Sequence, residues 1–478
     1  MAGRRSAVLG RALAGRVRKP GGLPWPLLAR LTLLVLAVNV SFWFAPAPLG
    51  QPDVEYWGHY QRVGPGLGFV VNHDSYGYLL VARQPARLLR PGEVRQSRPL
   101  YALLGAAVGP PLAAALHAAQ TAGIIAPGAD AELLTWAGFY GGYVLLNGLA
   151  LLLSLLLLRY LVGQLSAGQG AASQGTAWYF WPLAWVLAAN PVTKAFFWTA
   201  HQQMFTLLVP LVCVALAGGL RQRAARGCRA RWARWAGWSV GLGVLPLLYG
   251  SFVLAWPALL YGLRGLSAHP AEANEAAAAA GATRGALIRR TARQALSAGL
   301  FALPTLAWMG LLRTQGTGYY NHEAARYHQL VWLLEAPHWP PGRFLALIAG
   351  KLGAYASSWE RLTLWLLLAA GLLAATRWLV RAVARAAAAE PGRPLLPRRP
   401  LVAAPWGGAL AWVAGLVGLF FGLLGYYPSR LAYALLPLVL GLLAALLPHW
   451  PRRWARPLAL ATAAAWHLWT LLSYGPFS

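Results

Sequence analysis

Of the 478 residues, 58% are hydrophobic and only 11% are charged, far below the charged quarter of an ordinary soluble domain. Apolar runs long enough to cross a bilayer recur along the chain, which makes it an all-α, polytopic membrane protein. A formal net charge of +29 would suggest nucleic acid in a soluble chain. Here the arginines sit in short segments between apolar runs, where topology and anionic lipid account for them, so no nucleic-acid partner is expected.

The N-terminal tail, 1–26, carries Arg4, Arg5, Arg11, Arg16, Arg18 and Lys19 ahead of an apolar run from Leu27 to Phe44. By the positive-inside rule this tail is cytoplasmic and the first span runs outward. Ala45-Pro46-Ala47 imitates a signal-peptide cleavage site, but the apolar run is long for such a peptide and Pro48 follows at once, which favours an uncleaved span. A first outer loop then covers 48–135. It contains Pro99 to Ile125, which charge bookkeeping keeps as a helix on the outer surface, broken at Pro110-Pro111.

Spans follow at Trp136 to Leu158, Ala177 to Phe197 and Gln203 to Leu220, with His201 at an outer turn. Arginines flank the run Gly237 to Leu263 on both sides, so it reads as a hairpin of two short helices turning near Tyr249-Gly250-Ser251. The Ala-rich stretch Glu272 to Thr283 is a low-complexity cytoplasmic connector. Ala295 to Leu312 goes out again, and a second outer loop, 313–362, includes a candidate interfacial helix, Arg343 to Ser357. The last spans are Thr363 to Val380, Trp406 to Gly425, Leu431 to Leu447 and Pro457 to Ser473. The count is about eleven membrane helices in a single membrane-embedded domain, 1–478, of the bacterial cytoplasmic-membrane type, with the C-terminus outside. Cys213, in an apolar run, and Cys228, in a basic loop, share no environment for a disulfide.

The chain has twelve acidic residues, yet Asp53, Glu55, Asp74 and Glu93 all fall in the first outer loop. That loop also holds the arginine-rich stretch Asn72 to Tyr101. Phosphate-cradling glycine loops, zinc-spaced His/Cys sets and nucleophile elbows are missing. Two long outer loops and a short one at Tyr426 to Arg430 are expected to converge on a water-poor rim, which suits a reaction joining a lipid-borne substrate to a polar one.

Several features resemble the GT-C membrane glycosyltransferases: Asp74 followed by Tyr78, Leu79 and Ala82; Arg98-Pro99-Leu100-Tyr101; the double helix at Gly237 to Leu263; and Arg430 followed by Tyr433 and Pro437. The acidic pair common in that family's first loop is not clearly formed, and Pro99 stands alone in place of a twin proline. The resemblance implies a GT-C-like bundle and a polyprenyl-phosphate sugar donor, with mannosyltransferase-like transfer to a lipid, glycan or protein acceptor outside the cytoplasmic membrane. It also implies an acidic base in the first outer loop.

Displacing a polyprenyl phosphate needs a base for the acceptor hydroxyl and positive charge where the phosphate leaves. Asp74 is the candidate base, with Asp53 and Glu55 as rivals, and Arg430 the candidate phosphate holder. The bland readings are that Asp74 only caps the helix that follows it and that Arg430 only anchors a span end. Arg98, Tyr101, His73, His322 and His328 are the remaining candidates for substrate contact. The histidines read as hydrogen-bonding groups rather than ligands, so no divalent metal or other cofactor is expected. The alternatives are a transporter or flippase, disfavoured because Lys194 is the main ionisable residue in the spans, a polysaccharide polymerase, or an inactive GT-C-like scaffold.

Overall fold

The computed structural model describes residues 25–46, 58–65, 67–126, 128, 130–167, 178–225, 232–267, 283–388, 405–424 and 429–473. Asp53, Glu55, Cys228 and the Tyr426-Tyr427-Pro428 segment lie outside them. The first helix, α1 (Trp25–Ser41), buries Leu31, Val35 and Val38 while exposing Leu33 and Leu36. A helix apolar on both its packed and its open faces is what lipid requires.

Three strands follow, which the sequence reading did not anticipate. They are β1 (Ala45–Pro46), β2 (Gly58–Gly64) and β3 (Leu67–Asn72). They form an antiparallel sheet in the order β1-β3-β2, with Ala45 opposite Gly68 and Gly58 opposite Asn72. The sheet aims the chain into α2 (Asp74–Arg83).

Next come α3 (Pro99–Thr121) and α4 (Ala131–Ala167). The expected break at Pro110-Pro111 does not occur: α3 runs through both prolines. The missing N–H groups are tolerated because the flanking residues are small (Ala106, Ala107, Gly109) and α4 splints the helix along its length. The two helices are antiparallel, Gly105 lying against Tyr143, Gly138 against Ala113 and His117 bonded to Thr135 at 3.1 Å. A methyl group at Gly105 or Gly138 would come within 2.2 and 2.4 Å of those neighbours, so glycine is what allows the approach.

α4 has 37 residues, about 55 Å at 1.5 Å per residue, roughly 25 Å more than a hydrocarbon core. α2 and α3 pack along the first half of α4. The candidate span, Ala131–Ser166, contains the expected Trp136 to Leu158 and extends past it at both ends.

The expected span Ala177 to Phe197 is instead two short helices, α5 (Phe180–Ala188) and α6 (Pro191–Phe196). Asn190 separates them: its side-chain Oδ1 accepts the N–H groups of Val192 and Thr193, and Pro191 opens the second helix, the usual start signal. α7 (Phe205–Ala225) runs through the centre of the bundle.

The pair α8 (Trp232–Val244) and α9 (Ala255–Ser267) turns through 3-10 segments around Tyr249, as the flanking arginines suggested. The remaining helices longer than four residues are α10 (Thr283–Thr314), α11 (His322–Tyr327), α12 (Pro341–Ser357), α13 (Glu360–Ala388), α14 (Pro405–Leu424), α15 (Leu436–Leu446) and α16 (Arg452–Leu472).

Among the described residues seven helices are long and apolar enough to cross a membrane, or eight if the 83° bent pair Pro341–Ser357 and Leu362–Thr376 is one span. The protein is therefore a polytopic helical membrane protein. One of the seven, Pro99–Thr121, is the helix that charge bookkeeping had kept on the outer surface: it is long and apolar enough to cross. The spans lost from the expected eleven have local causes. α5 and α6 are too short to span, α8 and α9 are a pair of short apolar helices, and α16 begins with Arg452, Arg453 and Arg456, charges that lower its apolarity.

Candidate functional site

β3 ends at Asn72, whose side-chain oxygen accepts the N–H of Asp74 at 2.8 Å. The capping role that sequence reasoning offered for Asp74 thus belongs to Asn72, and the Asp74 carboxylate starts α2 without serving as its cap. Its tip is 54% exposed, yet each oxygen has a cationic or polar neighbour. Oδ1 lies 3.3 Å from Arg95 Nη2, and Oδ2 lies 3.5 Å from His201 Nε2.

Arg95 reaches Asp74 by lying flat on α2. Its Nη2 also donates to the Asp74 carbonyl at 3.2 Å, and its guanidinium stacks 4.7 Å above the Tyr78 ring. Gly77 makes the space: a methyl there would come within 2.5 Å of Nη2. His201 arrives from the turn between α6 and α7. Its Nδ1 accepts the Gln203 N–H at 3.2 Å, which in the neutral ring leaves the proton on Nε2, facing Asp74. Ser75 ties the two segments together, its hydroxyl accepting the Ala200 N–H at 3.0 Å. Asn147 of α4 holds the same turn by donating to the carbonyls of Phe196, Phe197 and Thr199 at 3.1, 3.0 and 2.7 Å.

Arg430 enters from the far end of the sequence, at the start of a candidate span, Arg430–His449. Its guanidinium lies 5.7 Å from the Phe196 ring and acts electrostatically on both Asp74 and His201. Phe196 in turn packs 5.1 Å from the His201 ring, so one aromatic side chain lies against both the imidazole and the Arg430 guanidinium.

The charges settle accordingly. The contact with His201, reinforced by Arg95 and Arg430, holds the Asp74 carboxyl well below the usual carboxylate range against the opposing effect of burial. Burial pushes His201 down to about 4, with Arg430 and Arg98 adding repulsion and Asp74 pulling the other way. At neutral pH the site contains an ionised Asp74, a neutral His201 and cationic arginines.

Arg98 sits just beneath. It forms an ion pair with Glu323 of α11, the two side chains 22% and 20% exposed, and faces the Tyr78 and Tyr249 hydroxyls. Burial is the largest single effect on the Arg98 cation and works against it; Glu323, Tyr78 and Tyr249 together outweigh it, raising its pKa. The pair joins the first and second long loops, as does the Tyr320 N–H by donating to Gln96 Oε1 at 3.0 Å, while Trp308 of α10 donates to the Gln96 carbonyl at 3.0 Å.

The candidates therefore divide. Asp74 and Arg430 are brought together, and Arg98 lies close by in an ion pair. Tyr101 is wholly buried among Tyr78, Tyr143 and Phe205, a foundation for α2 rather than a substrate contact. His73 is exposed and caps nothing with its side chain. His322 bonds Tyr320 at 3.2 Å, and His328 lies 3.9 Å from Glu335 at a left-handed turn. Sequence reasoning missed Arg95 and the role of His201; the available signals were Gly77 before an arginine-rich loop and a His-Gln-Gln cluster interrupting two apolar runs. Among the described residues no group of three His, Cys, Asp or Glu side chains forms a metal site.

The class defined by this architecture is a polytopic helical membrane protein with a charged cluster where several span ends meet. Compared with known proteins, the chain matches no family model, no curated protein and no solved structure. The residues of the cluster therefore carry the functional reading.

Proposed function

We propose that the protein is a GT-C-like glycosyltransferase that moves a sugar from a polyprenyl-phosphate donor to a lipid, glycan or protein acceptor at the extracytoplasmic face of the membrane. The observation that supports this most is the setting of Asp74: an ionised, half-exposed carboxylate held by Arg95 and His201 and within the electrostatic influence of Arg430, where α7 and the Arg430–His449 span begin. A donor anchored by its isoprenoid tail in the bilayer presents its phosphate at that level.

In the reaction the acceptor hydroxyl gives its proton to Asp74 as its oxygen attacks the anomeric carbon. The bond from that carbon to the phosphate oxygen breaks, and polyprenyl phosphate leaves with the electron pair. Arg430 faces the negative charge that develops, supplying with a fixed guanidinium the stabilisation other enzymes draw from a metal ion. Transport is less well supported. Lys194, the buried ionisable group of the α6 segment, is engaged by the carbonyls of Thr470, Leu471 and Ser473 at 3.0, 2.8 and 3.0 Å, an arrangement that ties helices together rather than lining a path.

The test is release of polyprenyl phosphate from a panel of polyprenyl-phosphate hexoses by purified protein in lipid nanodiscs. Wild type is expected to release it in the presence of an acceptor extract. Asp74→Asn, which keeps size and fold, is expected to fall by at least about a hundredfold, the scale of general-base catalysis. Equal release by the two proteins would overturn the reading.

A further inference from the structure

The Asp74 carboxylate is held from two sides by groups of different origin. One is an arginine seated on the helix that carries Asp74; the other is an imidazole 127 positions further along the chain. Both holders are themselves fixed. Arg95 is 12% exposed and wedged over Gly77 and Tyr78. His201 is 5% exposed, packs on Phe196 and edge-on to Tyr78, and takes a backbone N–H on Nδ1.

That last bond decides what His201 can do. With Nδ1 occupied by Gln203 and Nε2–H turned to Asp74, the neutral ring has no lone pair left for a substrate proton. It cannot serve as a base itself. Protonation would set an Nδ1–H against the Gln203 N–H, donor against donor, with Arg430 and Arg98 facing the ring and Asp74 its anionic neighbour. The neutral imidazole is the form this turn accommodates.

We infer that His201 and Arg95 are positioning residues that clamp the two oxygens of Asp74, one each, and leave the carboxylate's outward lone pairs for the hydroxyl of an acceptor. The assignment of those lone pairs to an acceptor rests on the glycosyl-transfer reading; the clamp does not. A carboxylate has about four acceptor positions. Two are taken from below, and the 54% exposure of the side chain marks the open side. An arm fixed in this way loses no freedom when the acceptor arrives, which is how orientation accelerates a proton transfer.

The test uses His201→Gln and His201→Ala in the full-length protein, with two readouts. The first is an infrared acid titration of Asp74, isolated by subtracting Asp74→Asn; it needs no substrate. His201→Ala is expected to protonate Asp74 at higher pH than wild type, whereas His201→Gln, whose amide N–H reaches toward the Nε2 position, stays close to wild type. The second is transfer kinetics. His201→Ala should lose on the order of ten- to a hundredfold in kcat with the donor KM unchanged, and His201→Gln should recover most of the loss.

An Asp74 titration unmoved by His201→Ala would overturn the clamp. So would Gln and Ala variants equally slow. Undiminished transfer by Asp74→Asn would instead sink the glycosyl-transfer reading and leave the clamp to the infrared result.

Discussion

Substituting Gly77 with Ala perturbs the site without removing any functional group. The added methyl would stand 2.5 Å from Arg95 Nη2, 2.8 Å from Cζ and 3.2 Å from Nε, against a comfortable contact of about 3.5 Å or more. The guanidinium must therefore retreat by about 1 Å. Its 3.3 Å pairing with Asp74 is lost, and its stacking on Tyr78 weakens.

The stability consequences nearly cancel. The ion pair, half exposed on the Asp74 side, is worth about 0.5–1 kcal/mol after solvent screening, and the ring contact about as much again. Alanine in place of glycine inside α2 returns about 0.5–1 kcal/mol. Gly77→Ala is expected to unfold within a few degrees of wild type in a thermal scan while its transfer rate falls on the order of tenfold, because Oδ1 is no longer held. Wild-type transfer together with a normal Asp74 titration would refute the role assigned to Arg95. A loss of more than about 2 kcal/mol of stability would show that the packing at Gly77, not the clamp, is what matters.

At Arg430, Lys should support weakened donor binding and Gln less still; losing a charge-assisted phosphate bond costs about 1.5–3 kcal/mol, roughly ten- to a hundredfold in a titration with a polyprenyl-phosphate sugar. Equal binding by wild type and Arg430→Gln would make the side chain a headgroup anchor. Burial pushes His201 from its ordinary value of 6.5 down to about 4, so the unfolded state binds more protons between those values. Stability is therefore full above about pH 6.5 and declines as pH falls toward 4, a decline that His201→Gln should flatten in denaturation profiles. Gly138→Ala presses a methyl to 2.4 Å of the Ala113 backbone, which cannot yield as a side chain does. A cost of about 1–3 kcal/mol in unfolding is expected, and a wild-type midpoint would contradict the close packing of α3 on α4.

What the sequence disclosed follows from what is local. Apolar runs announce spans because each must satisfy its own backbone and face lipid, and the doubled arginine flanks of the Tyr249 hairpin left few other arrangements. Asp74 stood out because carboxylates are scarce. The sheet before it was missed although Pro65-Gly66 lies between its two longer strands, a turn signal obscured by the short first strand. The Asn190-Pro191 break was equally local and passed unnoticed inside an apolar run. The partners of Asp74 are a different matter. Arg95 comes near because Gly77 leaves room, and His201 because Asn147 and Ser75 hold its turn. Neither relation is visible before the helices pack.

Lys194 gives the arrangement a timetable. Two residues before Phe196, it grips the carbonyl end of α16, and the nearest of those carbonyls belongs to a residue 277 positions later. During synthesis the segment bearing Phe196 and His201 is inserted long before its counterpart has left the ribosome. An ammonium group buried to this depth has to wait, hydrated or otherwise occupied, until α16 arrives. The segment that leads into the turn steadying Asp74 thus gains its Lys194 anchor only once α16 is in place.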